Sequence, residues 1–150
     1  GVMRVQDRQL AWYCFSTLDG LGAALYVQKF VPPGGRDTRM LVIGEETYGI
    51  RRINDRDFRT NVAGGGIGRA VELTPQQLAM ARDIARSMSL VIGAIDLIDC
   101  DVHGSVVVEV NGVPGWKGAQ GCFEFDLAER MIRCSDAAAA AAAARASRRT

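Results

Sequence analysis

The sequence predicts an α/β fold of the α+β type, and three observations lead to that prediction. Residues 40–53 contain two apolar runs on either side of a short turn, which is typical of a β-hairpin. A capped helix begins at Thr74, and two further apolar strands follow at residues 94–98 and 106–111. The chain therefore combines strands that pair locally with at least one amphipathic helix.

The first part of the chain offers weaker signals. Residues 10–15 are apolar and aromatic, and Asp-Gly-Leu-Gly at residues 19–22 indicates a turn. Residues 25–31, with the sequence L-Y-V-Q-K-F-V, predict a strand, which Pro-Pro-Gly-Gly at residues 32–35 would end.

The central part predicts a hairpin and then a loop. Residues 40–43 and 47–53 form the two strands around Gly44, Glu45 and Glu46. Residues 55–68 are polar and glycine-rich, which favours a loop. A short strand is expected to follow at residues 70–73.

The helices have clear start signals. Thr74 suits the N-cap, Pro75 the first helical position, and Gln77 completes a capping box. An apolar stripe at helical spacing follows, and we interpret it as core packing: Leu78, Ala81, Ile84, Ala85 and Met88. A second helix is predicted from about Asp126, and the Ala/Arg-rich segment beyond it is low-complexity sequence that could be weakly helical.

Composition limits the functional classes. The chain has 150 residues, 48% of them apolar, which suits one domain or part of a larger protein with a true core. Its formal net charge of +1 gives no reason to expect a nucleic-acid or membrane partner. No stretch is long and apolar enough to cross a bilayer and no signal peptide opens the chain, so we expect a cytoplasmic protein.

The cysteine and histidine content argues against two kinds of site. The four cysteines form no C-x-x-C pair and His103 is the sole histidine, so a structural zinc site is not expected. A nucleophilic triad would also need His103, which falls in a predicted polar turn where we expect a solvated side chain.

Acidic side chains interrupt the two apolar strands near the end of the chain. Side chains alternate between the faces of a strand, so Glu109 and Asn111 share one face, and Asp96 lies in the preceding strand. Acids inside apolar strands are costly unless their charge is compensated, and these three oxygen donors suit Mg²⁺. The alternative is that Asp96 caps a strand end and Glu109 faces water.

The glycine-rich loop fits neither common phosphate-binding motif. Residues 64–68 lack the spacing of G-x-G-x-x-G and of G-x-x-x-x-G-K-S/T. They could form a flexible surface loop. Against that reading, Arg59 and Asn61 lie just upstream, and Asp37 and Arg39 lie at the start of a strand. Together they offer groups of the kind that phosphates require.

Taken in order, several short segments resemble the C-terminal half of ATP-grasp carboxylate-amine ligases, and in particular the RimK-type α-L-glutamate ligase branch. These segments are L-Y-V-Q-K-F, R-D-T-R-M-L-V-I-G, D-F-R-T-N-V-A-G-G-G, L-T-P, I-D-L and V-V-E-V-N-G-V-P-G. The resemblance covers roughly residues 25–134. It implies the C-terminal portion of an ATP-grasp fold, mainly an antiparallel sheet with packed helices.

The resemblance also implies roles for particular residues. Lys29 and Phe30 match the hinge that holds adenine, although the family often has glutamate at the position of Lys29. Asp37 matches a nucleotide-contacting aspartate. Arg59, Thr60 and Asn61 match the segment near the phosphates. Arg39 matches the residue that holds the transferred phosphoryl group, and Arg59 is also assigned a catalytic role. Asp96, Glu109 and Asn111 match the magnesium ligands.

The implied reaction uses ATP and two Mg²⁺ ions, for which Mn²⁺ could substitute. Phosphoryl transfer to a substrate carboxylate gives an acylphosphate, and the amine of glutamate or a similar amino acid then attacks it. The expected partners are ATP, an amino acid, and a small-molecule or peptide carboxylate; a homo-oligomer is compatible with the family. Trp116 and Lys117 either line the acceptor pocket or form an exposed turn with Trp116 on the sheet edge.

The domain organisation follows from the same resemblance. Residues 1–24 would end the preceding lobe, residues 25–135 would form the C-terminal lobe with the nucleotide and metal site, and residues 136–150 would be a tail. The glycine-rich lid and the phosphate-binding lysines of the family are not found before residue 25. We therefore expect a fragment that does not turn over ATP alone; the alternatives are a non-catalytic nucleotide- or metal-binding module and an inert remnant.

Overall fold

The computed structural model describes residues 2–100 and 104–148 of the chain. The predicted turn histidine, His103, lies outside these residues. The chain divides into two compact units, residues 1–32 and residues 33–150. Within the described ranges, no helix is both long enough and apolar enough to span a membrane.

The first unit contains a helix that the sequence analysis did not predict. Helix α1 (Arg8–Gly20) begins after Asp7, whose carboxylate accepts a hydrogen bond of 2.7 Å from the backbone N–H of Leu10. No residue of α1 is buried within its unit. The turn predicted at residues 19–22 is confirmed, because α1 ends there and Gly22 has a positive φ of 69°.

The predicted strand at residues 25–31 is wrong. These residues have no regular secondary structure, and the side chains of Tyr26 and Val27 are 88% and 65% exposed. A β-branched and aromatic run becomes a strand only where a neighbouring strand pairs with it and a core covers one face. Within the described part of this unit, residues 2–32, no strand is present to do so.

The second unit is built on a five-stranded, fully antiparallel sheet, which confirms the predicted fold class. The strands occur in the spatial order β3-β2-β1-β4-β5. Their ranges are β1 (Arg36–Ile43), β2 (Glu46–Ile53), β3 (Ile67–Val71), β4 (Ile92–Cys100) and β5 (Gly104–Asn111). The predicted hairpin is β1-β2, and the two predicted acidic strands are β4 and β5.

The hairpin turn sets the register of the first two strands. Ile43 pairs with Glu46 across a two-residue turn, and its first residue, Gly44, has a φ of 61°. Glycine favours this conformation, which matches the twist of the flanking strands. Because the turn is this short, residues whose numbers are symmetric about it, such as Asp37 and Arg52, lie directly opposite each other.

One face of the sheet is covered by helix α2 (Pro75–Ser87). The predicted capping box is confirmed: the Thr74 hydroxyl accepts from Gln77 N–H, and the Gln77 side chain accepts from Thr74 N–H. The buried residues on this face are Met40, Val42, Ala81, Ile95 and Leu97. Ala81, Ile84 and Ala85 of the predicted apolar stripe thus pack in the core, whereas Met88 of that stripe is 54% exposed.

The other face is covered by helices α3 (Lys117–Gln120) and α4 (Leu127–Ser147). Helix α4 begins directly after Asp126, close to the predicted start, and Asp126 caps it with a carboxylate 3.1 Å from Glu129 N. Helix α4 continues through the alanine-rich segment to Ser147, so this segment is helical. The buried residues of this face are Leu41, Ile43, Ile50, Ala94, Ala119 and Leu127.

The segment between β2 and β3 is mostly loop, as predicted. It contains one 3₁₀ turn (Val62–Gly64), and β3 begins at Ile67, three residues before the predicted strand. Gly66 allows the loop to fold on itself, since a Cβ there would lie 2.0 Å from the carbonyl oxygen of Thr60. The close approach fixes the loop beside the strands.

Candidate functional site

Four charged side chains, three of them buried and Arg39 half-buried, lie side by side on the sheet face that carries α3 and α4. Asp37 and Arg39 are two residues apart on β1, so they point to the same face. Asp37 is paired in register with Arg52 of β2, and Arg39 with Asp96 of β4. Strand alternation and register therefore bring acids and bases together across three neighbouring strands.

The hydrogen bonds within this group are bidentate and continuous. Arg39 donates from Nε and Nη2 to the two carboxylate oxygens of Asp96, both at 2.8 Å. Arg52 donates in the same way to Asp37, at 2.7 and 2.6 Å. Arg52 Nη2 also lies 2.8 Å from Asp96 Oδ2, so this guanidinium bridges the two acids. We call these four residues the charge network.

Burial and charge act against each other on Asp96. Burial by itself raises the pKa of Asp96, but the hydrogen bonds and charges of Arg39 and Arg52 outweigh burial and lower the pKa below its ordinary value. Burial likewise opposes the charged form of Arg52, and Asp37 and Asp96 raise its pKa. Asp96 and Arg52 therefore stay ionised at neutral pH.

Lowered acid pKa values predict how stability should respond to pH. A carboxyl whose folded pKa is depressed contributes stability above its unfolded pKa, and that contribution is lost as pH falls through the folded pKa. For Asp96 the loss should begin near the ordinary value of 3.8 and continue below it. We expect the free energy of unfolding, measured in urea, to fall between about pH 5 and about pH 3.

The Asp96→Asn variant identifies the source of this fall. It should be less stable at neutral pH, and its free energy of unfolding should decline less over the same pH range. Asp57→Asn is the control outside the network, because the Arg59 ion pair also lowers the pKa of the half-buried Asp57, to about 2. An unchanged decline in Asp96→Asn would assign the acid sensitivity to other groups.

The loop after β2 adds a hydroxyl to the network. Thr60 is buried, and its Oγ1 donates to Asp37 Oδ2. The side chain of Asn54 holds the loop by donating to the carbonyl oxygens of Arg59 and Gly64, at 2.8 and 3.1 Å. Arg59 itself is half exposed and pairs with Asp57, so its guanidinium does not belong to the buried group.

The predicted metal ligands form one row on the same face. Asp96 is directly opposite Glu109, and Ala94 is opposite Asn111. Between Asp96 and Leu97 the register shifts, because Leu97 pairs with Val107 and Val108 is an extra residue in β5. This β-bulge aligns the two acids: without it, Val108 would stand opposite Asp96.

The three predicted ligands have different surroundings. Asp96 is buried in the charge network, Glu109 is exposed, and Asn111 is half buried with its Oδ1 accepting from Val113 N at 2.9 Å. The described residues contain no cluster of three or more His, Cys, Asp or Glu side chains placed to share a metal ion. A metal here would need the Asn111 oxygen, and the assignment of these ligands stays a prediction.

A cleft of about 500 Å³ opens beside the charge network. It is bounded by the network, the loop after β2 and the turn after β5. Its lining consists of Arg39, Ile50, Arg52, Asn61, Val62, Gly68 and residues 113–119. Trp116 and Lys117 therefore line this cleft, and their placement in an acceptor pocket stays a prediction.

Two predicted adenine-contacting residues belong to the first unit. Lys29 is exposed, and Phe30 is half buried with the Arg4 guanidinium 3.7 Å from its ring centroid. Both lie in the irregular segment of that unit. Their predicted contact with adenine stays a prediction.

Arg52 is the residue that the sequence analysis missed. Its signal was available, because a two-residue turn at Gly44-Glu45 pairs Arg52 with Asp37. The predicted turn spanned three residues and gave no such register.

Comparisons with known proteins identify the family. Residues 1–134 match the family described as RimK-like ATP-grasp domain. The chain belongs to this family. The RimK-like resemblance predicted from the sequence is thereby confirmed.

Curated relatives of this RimK-like domain are glutamate ligases by name. The chain is 35% identical over 136 residues to the ribosomal protein bS6–L-glutamate ligase of Escherichia coli O7:K1 (strain IAI39 / ExPEC). It is 34% identical over 136 residues to a probable α-L-glutamate ligase of Citrobacter koseri. Each match covers 89% of this chain and 45% of the relative, so the chain spans about half the length of these proteins.

Solved structures similar to the RimK-like domain are ATP-grasp ligases. One is the Chryseobacterium gregarium RiPP-associated ATP-grasp ligase in complex with ADP and a leader and core peptide. It matches with a TM-score of 0.57 and 18% identity, over 70% of this chain and 33% of that chain. The ligase PsnB, in complex with a phosphomimetic variant of its minimal precursor, Mg and ADP, matches with a TM-score of 0.56 and 19% identity, over 75% and 34%. At these identities the matches show the fold, and they confirm that it is an ATP-grasp fold.

Proposed function

We propose that this RimK-like domain is the nucleotide- and metal-binding part of an ATP- and Mg²⁺-dependent carboxylate-amine ligase. The observation that carries the proposal is the charge network beside the cleft, with Asp96 in register with Glu109. Family membership and the names of the curated relatives support it.

The cleft has groups suited to phosphates. Arg39 and Arg52 both line it, and each guanidinium keeps N–H groups beyond those that bond Asp37 and Asp96. Asn61, at the start of the 3₁₀ turn, adds a side-chain amide. Arg39 would hold the phosphoryl group during transfer, and Arg52 would hold Asp96 in place.

The donor set fits magnesium. Asp96, Glu109 and Asn111 offer two carboxylates and an amide oxygen from one face of two paired strands, and oxygen is the ligand atom that Mg²⁺ prefers. Two Mg²⁺ ions, or Mn²⁺ in their place, would neutralise phosphate charge when bound. The chain's own contribution is to hold Asp96 ionised, which the arginines of the network achieve by lowering its pKa.

The proposed reaction has two steps. A substrate carboxylate oxygen attacks the γ-phosphorus of ATP, so that the acylphosphate forms and ADP leaves. An amine then attacks the acyl carbon, an amide bond forms, and phosphate leaves with the bonding electrons of the broken C–O bond while the amine loses a proton. Positioning and charge stabilisation suffice for both steps, and no side-chain nucleophile is required.

The proposed substrates come from the named relatives. The amine is that of glutamate or a similar amino acid, as the names of the curated relatives suggest. A peptide or small-molecule carboxylate is the acceptor; the solved ligases bound to precursor, leader and core peptides favour a peptide. Lys29 and Phe30 would contact adenine, and Thr60 would position Asp37 near the phosphates.

Tryptophan fluorescence can test nucleotide binding in the cleft. The chain has two tryptophans, Trp12 in the first unit and Trp116 in the cleft, so a Trp12→Phe variant leaves Trp116 as the reporter. We expect ATP to change its emission saturably, and only with Mg²⁺ present. Absence of any Mg²⁺-dependent change would refute the nucleotide site.

Turnover is then measured on the complete gene product. With ATP, Mg²⁺, L-glutamate and a peptide ending in glutamate, we expect ADP release and a peptide mass gain of one glutamyl residue. Arg39→Met should lower the rate on the order of 100-fold, the scale for loss of one stabilising donor, whereas exposed Arg86→Met should not. ATP binding without ADP release across a panel of carboxylates would favour the non-catalytic binding module.

A further inference from the structure

A second cleft lies on the opposite face of the same sheet, beside the start of helix α2. Its volume is about 350 Å³, at the small end for ligand sites. Thr38 lines it from β1 and Arg51 from β2, and these two residues pair in register. Since strand side chains alternate, this cleft is separated by the thickness of the sheet from Asp37, Arg39 and Arg52.

Thr38, which lines this cleft, has a buried hydroxyl that no described residue partners. The side chain of Thr38 is 1% exposed, and its Oγ1 has no hydrogen-bond partner among the described residues. Leaving a buried polar group unpaired destabilises the folded state. A ligand that fills the cleft would supply the missing partner.

The charges around the cleft are of both signs. Arg51 donates from Nη1 to Asp99 at 2.9 Å, and Asp99 also accepts from Ser105, so the acid is occupied while the guanidinium keeps further N–H groups. Glu72, after β3, is exposed and has no ion-pair partner in the described part of the chain. The uncommitted groups are therefore a hydroxyl and a guanidinium on neighbouring strands and a carboxylate on the rim.

We propose that this second cleft binds a small zwitterionic α-amino acid. Its carboxylate accepts from the Thr38 hydroxyl and from the spare N–H groups of Arg51, and its ammonium group pairs with Glu72. A simple anion leaves Glu72 unpaired and a simple amine leaves Arg51 and the Thr38 hydroxyl unused, so the combined charges favour a zwitterion. This site is independent of the proposed ligase function.

An NMR titration of the 150-residue chain tests the site. L-alanine is the ligand used, with acetate and methylammonium as single-charge comparisons. We expect L-alanine to shift the amide resonances of Ser105 and Gln76 saturably while those of Val62 and Trp116, in the first cleft, stay in place. Acetate or methylammonium with the same midpoint as L-alanine would overturn the zwitterion assignment.

Variants separate binding from folding. Glu72→Gln changes an exposed side chain and should weaken L-alanine binding at least tenfold, whereas Glu45→Gln, at the exposed hairpin turn, should leave it unchanged. Thr38→Val should abolish the shifts without lowering the free energy of unfolding, because the lost hydroxyl has no protein partner. Wild-type affinity in Glu72→Gln, or in a folded Thr38→Val, would refute the site.

Discussion

Replacing Arg52 by methionine should lower the free energy of unfolding by about 3–5 kcal/mol, the cost of removing one partner from a buried ion pair. Arg52 and Asp37 are each 8% exposed at the side chain, and the Arg52 guanidinium also contacts Asp96. Its loss would leave the Asp37 carboxylate with the Thr60 hydroxyl as its remaining side-chain donor among the described residues. The measurement is equilibrium unfolding in urea at neutral pH.

Arg86→Met is the matched control for that variant. Arg86 lies on α2 with its side chain 79% exposed and its charge 3.9 Å from Asp83. Its replacement should change stability by no more than about 0.5 kcal/mol. If Arg52→Met and Arg86→Met were equally stable, the charge network would not be a stabilising part of the fold.

Replacing Glu109 by glutamine should remove Mg²⁺-dependent nucleotide binding while leaving the fold intact. Glu109 is exposed, so the substitution buries no new group and opens no cavity. Outer-sphere partners of a metal are worth about 10–100-fold in affinity, so loss of a direct ligand should cost at least about 100-fold. The measurement is a Mg²⁺ titration at fixed ATP, followed by Trp116 emission in the Trp12→Phe background.

Glu45→Gln serves as the charge-matched control, because it removes one carboxylate from the exposed hairpin turn. It should bind Mg²⁺ and ATP like the parent, and both variants should unfold at the same urea concentration. A Glu109→Gln protein with parental Mg²⁺ dependence would show that the metal does not use this acid.

Local chemistry explains which elements could be predicted from sequence. The capping box at Thr74 and the Gly44 turn each depend on a few adjacent residues, so their signals are complete in the sequence. The strand predicted at residues 25–31 is wrong because apolar residues of this kind form a strand only when a neighbouring strand pairs with them. Such pairing is a tertiary property. Helix α1 was missed although Asp7 is a good N-cap, since its exposed apolar residues give no clear amphipathic stripe.

In the candidate site, too, features set by adjacent residues could be predicted and features set by strand pairing could not. Alternation along β5 placed Glu109 and Asn111 on one face, and the structure agrees. The charge network could not be derived without the register of three strands, because Arg39 and Asp96 are 57 residues apart. Nothing in the Val106-Val107-Val108 run marks which valine is the extra residue of the bulge.

That bulge lets β5 hold one extra residue without moving its acid to the other side of the sheet. If Val108 were instead taken into regular pairing with Asp96, Glu109 would stand opposite Ile95 and point towards α2. A chain that lacks Val108 would pair regularly and still place Glu109 opposite Asp96. Homologous chains of either length can therefore keep both acids on one side of the sheet, and an alignment gap at this position does not by itself mark a change of function.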